Sequence, residues 1–343
     1  MPKEVKPRKI RLEASSICQL KCPSCPNTSR AIQPTIGSGF LKLSDFCNLI
    51  DQNPWIREIE LSNYGEIFLN PHLLEIIEYA HDKQIVLRAD NGVNLNHVKE
   101  DVLAGLVKCA FRSMSCSLDG ASSKTYSQYR VNGEFESVIE NIRKINALKR
   151  RYHSRYPLLE WKFVVFGFNE HEIPIARELA NELNMGFRLK LSWDPQVSPV
   201  RNRELVRKEI GFASREEYAH RCGVDYARNL CHQLWDKPQI NWDGKILGCS
   251  RNFWGDFGGN AFKDGLLESL NNEKIKYGRD MLIGEKDPRD DIPCATCNIY
   301  LGRKARGRSL SRNLPYLALR FISRHIRLGR YHTRLRKIYD FRL

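Results

Sequence analysis

Three cysteines stand within eight residues, Cys18-Gln19-Leu20-Lys21-Cys22-Pro23-Ser24-Cys25, directly behind the short apolar run Ile10-Arg11-Leu12-Glu13-Ala14. Thiolates are soft donors, suited to iron–sulfur clusters or zinc. Pro23 and Pro26 withhold backbone donors and disfavour a regular helix, so the loop is free to wrap its sulfurs around one object. A four-iron cube held by only three cysteines keeps one iron open to an outside ligand, and an open iron implies chemistry; a zinc ion in the same loop is the alternative. A second set, Cys231, Cys249, Cys294 and Cys297, has intervals of 17, 44 and 2 residues. Between its first two members, Gln239-Ile240-Asn241-Trp242-Asp243-Gly244-Lys245-Ile246-Leu247 reads as a β-hairpin turning on Asp243-Gly244, which brings Cys231 and Cys249 together. Pro293-Cys294-Ala295-Thr296-Cys297 then supplies two more thiolates. Four thiolates satisfy every external position of a second cube, which would move electrons rather than bind ligands; structural zinc is again the alternative. Cys47, Cys109 and Cys116 fall on element faces and read as small buried apolar residues, and Cys222 is left over.

Such groups need a scaffold that carries distant loops to one place, and the chain has the pattern for it. The run at 10–14 reads as a strand, with the cysteine loop at its C-terminal end. Strands follow at 56–61, 84–88, 111–118, 161–166 and 187–192, ending at Ser62-Asn63-Tyr64-Gly65-Glu66, Asp90-Asn91-Gly92, Asp119-Gly120 and, for the last, Trp193-Asp194-Pro195. Between them, 43–52 (with Ser44 as cap), 72–83, 98–108, 135–149 and 173–183 have helical spacing. Six strand–helix units in series predict an α/β fold, a partial (β/α)6 TIM-like barrel whose site lies at the C-terminal ends of the strands. The expected divisions are a barrel over residues 8–220, a small hairpin-and-helix iron–sulfur domain over 221–300 and a tail over 301–343.

The strand-end residues carry a resemblance. C-x-x-x-C-x-x-C in this strand–loop setting resembles the radical S-adenosylmethionine (SAM) enzymes. Tyr64-Gly65-Glu66 followed by Asn70-Pro71 is similar to their Gly-Gly-Glu element, with Tyr64 a departure at the first glycine. Asp90-Asn91-Gly92 resembles their Thr-Asn-Gly, Ser117-Leu118-Asp119-Gly120 their Ser-x-Asp-Gly, and Tyr126 to Arg130 their Tyr-x-x-x-Arg, although Asn-Gly and Asp-Gly are also common turn pairs. The resemblance implies a [4Fe-4S] cluster on Cys18, Cys22 and Cys25, with SAM on its open iron. Gly65 and Glu66 are then expected at the SAM amino group, Ser117 and Arg130 at its carboxylate and ribose, and Asn91 and Asp119 in the same cofactor-binding set. The second cysteine set looks like the Twitch domain, the shortened form of the SPASM domain, which implies an auxiliary [4Fe-4S] cluster on Cys231, Cys249, Cys294 and Cys297. The chemistry implied is SAM cleavage to a 5′-deoxyadenosyl radical, hydrogen abstraction from substrate, and electron loss to the auxiliary cluster. For a carbon bearing hydroxyl, that is a dehydrogenation. In sulfatase-maturing relatives an aspartate follows the second auxiliary cysteine; here Ser250 and Arg251 stand there, so that base does not carry over, and Asp194 is the candidate base, with Asp256 beside it.

Composition sorts the partners. The net charge is +15, but residues 301–343 hold thirteen Lys or Arg against one acid, Asp340, so the body of the chain is nearly neutral. Within the tail, Leu314, Leu317, Phe321 and Leu328 share one helical face and Arg320, Arg324 and Arg327 another, a pattern that suits an anionic membrane surface or packing on the barrel better than nucleic acid. Eleven cysteines without a signal peptide point to a reducing cytoplasm, with membrane contact peripheral. With the barrel beginning about ten residues from the start, a small molecule or sugar is the expected substrate, and a flavodoxin or ferredoxin the expected electron donor. Peptide modification and epimerisation are the alternatives within this chemistry; a non-catalytic metal-bound scaffold for RNA or membrane is the alternative outside it.

Overall fold

The computed structural model describes residues 4–227 and 229–310. Six parallel strands run in sequence order: β1 (Lys9–Leu12), β2 (Glu58–Glu60), β3 (Val86–Val93), β4 (Ser113–Ser117), β5 (Leu158–Val165) and β6 (Gly186–Leu191). The connecting helices are α1 (Leu43–Gln52), α2 (Leu73–Asp82), α3 (Glu100–Lys108), α4 (Ser123–Tyr129), α5 (Phe135–Arg151) and α6 (Ile173–Glu182). On β1, β4 and β5 the residues of one parity are apolar and buried, as with Ile10 and Leu12, Met114 and Cys116, and Trp161 and Phe163. Such residues form one core with the helix faces, exemplified by Val138, Ile142 and Ile145 of α5. The other parity is polar: Arg11, Glu60, Arg88, Ser115, Glu160, Lys162, Arg188 and Lys190 line the inner side. Their bonds link neighbouring strands, Arg11 Nε donating to Gln239 Oε1 at 2.8 Å and Ser115 Oγ to Glu160 Oε1 at 2.8 Å. This is the partial α/β barrel expected from the strand–helix alternation.

Beyond it lie α7 (Arg203–Ile210), α8 (Arg215–Cys222), α9 (Gln233–Asp236), the hairpin β7 (Gln239–Ile240) and β8 (Ile246–Gly248), α10 (Leu266–Leu270), α11 (Glu273–Ile283) and α12 (Asn298–Lys304). The hairpin turns where expected, but it does not stand apart: β7 pairs in parallel with β1, and β8 antiparallel with β7, giving one eight-stranded sheet. An open barrel edge presents unpaired backbone groups, and this hairpin pairs the β1 edge.

Three local readings are corrected. Ser44 does not cap α1; the helix starts at Leu43, with Lys42 at the cap position and no side-chain bond, because Leu41 N is tied to Ala14 O at 3.0 Å. Strand β3 does not stop at Asp90 but runs to Val93 through an irregular stretch between Ala89 and Val93, where Glu60 and Ser62 accept from the amides of Asp90, Asn91 and Gly92. Of the three cysteines read as buried, only Cys116 is; Cys47 and Cys109 are half-buried. The amphipathic face at 313–329 lies outside the described residues. Among those residues, no helix is long and apolar enough to cross a membrane.

Candidate active site

The loop after β1 is held by backbone bonds before any side chain is considered. Ser16 N donates to Gly39 O at 3.1 Å, Lys21 N to Val131 O at 3.0 Å, and Cys25 N to Cys22 O at 3.0 Å. Leu20 and Cys22 are buried in a small cluster with Tyr129, Val164 and Phe166, and Cys18 and Cys25 pack against it. Residues from the loop, from α4 and from the end of β5 therefore meet around the three thiols. Burial pushes the Cys18 thiol up to about 12, with Glu66, Cys22 and Cys25 adding to the rise. Cys22 is raised too, chiefly by burial, although Arg130 opposes it. Thiols in this setting hold their protons until a metal centre displaces them.

Three neighbouring strand ends reach this loop. After β2, Gly65 sits where a Cβ would lie 2.1 Å from Ser15 O, so only glycine allows the turn to press against the backbone that leads into the cysteines. Glu66 N then donates to Ile17 O at 2.8 Å. The Glu66 side chain is buried; its two oxygens accept from Phe68 N at 3.3 Å and Asn94 N at 2.6 Å. Burial outweighs these bonds and lifts its carboxyl to about 7. After β3, Asn94 Nδ2 approaches Cys18 Sγ at 3.8 Å and Gln19 Oε1 at 3.4 Å. After β4, Arg130 forms an ion pair with fully buried Asp119 at 2.6 Å and donates to Cys22 Sγ at 3.5 Å. Asp119 also accepts from Val164 N at 2.7 Å. It thus positions Arg130 and ties the β4 end to β5.

The remaining candidates lie at the ends of β3, β4 and β6. Asn91 bonds through its side chain to Asn63, at 3.3 Å to the carbonyl. Ser117 faces Gly92, where a Cβ would meet Ser117 Oγ and Lys162 Nζ, each at 2.6 Å. Asp194 follows β6 in a turn closed by its amide, which donates to Ser192 Oγ at 3.0 Å.

The second cysteine set also converges. Cys231 lies in a short 3-10 turn, Cys249 directly follows β8, Cys294 lies in the turn Pro293–Thr296, and Cys297 caps α12, its amide bonded to Cys294 O at 3.1 Å. All four line one cavity whose walls include Leu230, Leu234, Trp254, Phe257 and Ile299. Burial lifts Cys231 to about 12 and raises Cys249 and Cys294 as well, each thiol sensing others of the set. Soft donors sunk in an apolar pocket fit a cluster that must be screened from water. Among the described residues, no three His, Cys, Asp or Glu side chains are arranged to hold a single metal ion.

Two features were not among the sequence candidates. Glu13, fully buried at the end of β1, accepts from Tyr64 N at 2.7 Å and Gly65 N at 3.2 Å through Oε1; burial lifts it to about 7 although these bonds, the Asn63 side chain and Arg11 oppose the rise. Its signal was present, since Arg11 and Glu13 share one parity in a strand whose other parity is wholly apolar. Tyr64 donates its hydroxyl to Arg251 O at 2.7 Å and packs edge-on against Phe253, joining the loop after β2 to the second cysteine region. Cys25 and Cys249 are both close enough to raise the phenol.

No protein-family model matches the chain, and no curated protein matches it in sequence. Solved structures do match in fold. SuiB of Streptococcus suis, bound to S-adenosylmethionine, superposes with a TM-score of 0.61 at 15% identity, over 86% of this chain and 71% of that one. The native anSMEcpe structure with bound AdoMet gives 0.54 at 15% identity, over 84% of this chain and 86% of that one. The chain therefore has the fold of the radical SAM enzymes.

Proposed function

We propose that this protein is a two-cluster radical SAM oxidoreductase. The observation that carries the reading is the convergence of Cys18, Cys22 and Cys25 with Asn94, Arg130 and Glu66 at the C-terminal ends of β1 to β4, on a fold shared with proteins solved with SAM. The three thiols would hold a [4Fe-4S] cluster with one open iron, which when loaded supplies reductive cleavage of SAM and hydrogen abstraction from substrate. The chain's own residues do the rest. Arg130, fixed by Asp119, brings a positive charge to a cluster that gains an electron and to a ligand that carries a carboxylate. Glu66 is a buried carboxylate that senses Arg130 but has no ion pair among the described residues, and an ammonium group beside it would stabilise its charged form. Gly65 and Asn91 line the turns at the same rim, and Ser117 lies below them.

The four-thiol pocket, lined mainly by apolar side chains, suits an auxiliary [4Fe-4S] cluster of the Twitch kind, fully ligated and so an electron acceptor, with structural zinc the alternative. With such an acceptor nearby, dehydrogenation of a hydroxyl-bearing carbon of a small molecule or sugar is the favoured reaction, and a reduced flavodoxin or ferredoxin the donor. Asp194 is the candidate proton acceptor. The second reading is peptide modification: SuiB was solved bound to precursor peptide SuiA, and anSMEcpe with a Cp18Cys peptide. Anaerobic reconstitution, iron and sulfide analysis and assay of 5′-deoxyadenosine test the reading. About eight irons per chain with SAM cleavage are expected. About four irons with zinc in the second site would leave radical chemistry without an internal acceptor, favouring epimerisation. Zinc alone with no SAM cleavage would leave a metal-bound scaffold.

A further inference from the structure

The inner face of the barrel is not evenly charged. On the β1–β3 side cations and acids alternate: Arg88 pairs with Glu58 at 3.3 Å and Asp90 at 3.5 Å, and Arg11 bonds to Gln239 and Ser62 O beside Glu60. On β5 and β6 the inward polar residues are Glu160, Lys162, Arg188 and Lys190, three cations against one acid, and Arg188 already claims Glu160. Lys162, only 7% exposed, donates to the Asn91 carbonyl and has no ion-pair partner among the described residues. The Lys190 side chain has no ion pair among them, and the acid that it senses, Glu160, is the one Arg188 holds. The sheet neighbour of Lys190 in register is Val164, which packs against the three-cysteine loop, so Lys190 lies on the inner side at the level of that loop. Arg215, at the start of α8, binds Leu191 O at 2.9 Å, lies 4.7 Å over the Tyr226 ring and senses Asp225 without an ion pair among the described residues.

The acid that Lys190 senses, Glu160, is already paired with Arg188, and buried cations in excess of their counter-charges are matched to an anion from outside. Burial, with Arg188 and Arg215 close by and Glu160 opposing, lowers the Lys190 ammonium to about 8; burial lowers Lys162 as well, with Lys190, Arg130 and Arg188 adding and Asp119 opposing.

We propose that Lys190, supported by Lys162 and Arg215, is an anion-docking site that anchors a carboxylate or phosphate group beside the three-cysteine loop. That this guest is the substrate rests on the radical SAM reading; the site itself does not. The guest is small and acidic, or a sugar or peptide bearing such a group, and its anionic end sits against β5 and β6 while the remainder extends toward the strand ends. SAM also carries a carboxylate, so the site is tested with SAM present.

The test is calorimetric titration of the reconstituted, SAM-saturated protein with inorganic pyrophosphate and, separately, with malonate. Lys190→Met should weaken binding by about tenfold or more, whereas Lys190→Arg should stay within about threefold of the parent. The exposed Lys83→Met, at a surface pair with Asp51, is the control and should behave as parent. Tighter pyrophosphate identifies a phosphoryl guest, and tighter malonate a carboxylate one. Loss of anion binding in Lys190→Met with no 5′-deoxyadenosine from the parent would uphold the site and overturn the enzyme reading. Equal anion binding by Lys190→Met and Lys83→Met, with SAM cleavage intact, would overturn the site alone.

Discussion

The two cysteine sites are built from the same donor and both pack against apolar side chains, but they differ in the polar groups that reach them. Around Cys18, Cys22 and Cys25 stand Arg130, Asn94 and Glu66, each delivered by a different strand end and each able to bond an incoming polar molecule. Around Cys231, Cys249, Cys294 and Cys297 stand mainly apolar side chains, and the donors come from turns and a helix cap rather than from the barrel. On the proposed reading, three donors reached by polar groups suit a site that exchanges a ligand, and four donors in a mainly apolar pocket one that does not. Tyr64 spans the gap between them through its bond to Arg251 O.

The contrast can be broken in several ways. The largest effect is expected from changing Cys18, Cys22 and Cys25 together to Ala: SAM cleavage should fall to background and iron from about eight to about four per chain, read by product chromatography and metal analysis. Changing Cys294 and Cys297 to Ala should also halve the iron yet leave 5′-deoxyadenosine formation measurable, with loss of the oxidised product; equal damage to both activities would erase the distinction between the sites. Asp119→Ala strands Arg130 in a buried position and should cost about 3–5 kcal/mol of stability in urea titration, together with weaker SAM binding. Lys190→Met should shift substrate or anion affinity while leaving the iron count at the parent value.

The smallest effect is a pH slope. Glu13 is raised by burial from 4.5 to about 7, so the stability it contributes is fully present below about 4.5 and is lost as pH rises through about 7. Glu13→Gln should therefore flatten the stability profile between pH 5 and pH 8, measured by thermal unfolding of parent and variant across that range. A parent profile that rises through this window by the same amount in both proteins would contradict the assignment.

Much of this was legible in the sequence because it is local. The cysteine spacings, the hairpin on Asp243-Gly244 and the alternation of strands and helices each depend on a few neighbouring residues, and the structure has them in place. The parts that were not legible depend on pairings across long separations. Asn94 rather than Asn91 reaches Cys18 because β3 continues through an irregular stretch that follows from side chains on β2. That Asp119 holds Arg130 could be named only once the β4 end and α4 were set beside each other. The joining of β7 to β1 places the second cysteine region against the barrel, which no spacing records. The excess of cations on β5 and β6 was visible as Lys162, Arg188 and Lys190 at one parity, but its meaning needed the register with Val164.

The most direct test is electron paramagnetic resonance of the reduced protein with and without SAM, on two variants that each retain one cysteine set. The account predicts that SAM alters the spectrum of the Cys294→Ala, Cys297→Ala variant, whose centre sits on Cys18, Cys22 and Cys25, and leaves that of the Cys18→Ala, Cys22→Ala, Cys25→Ala variant unchanged. A SAM-dependent change in the second variant, or none in the first, would contradict it.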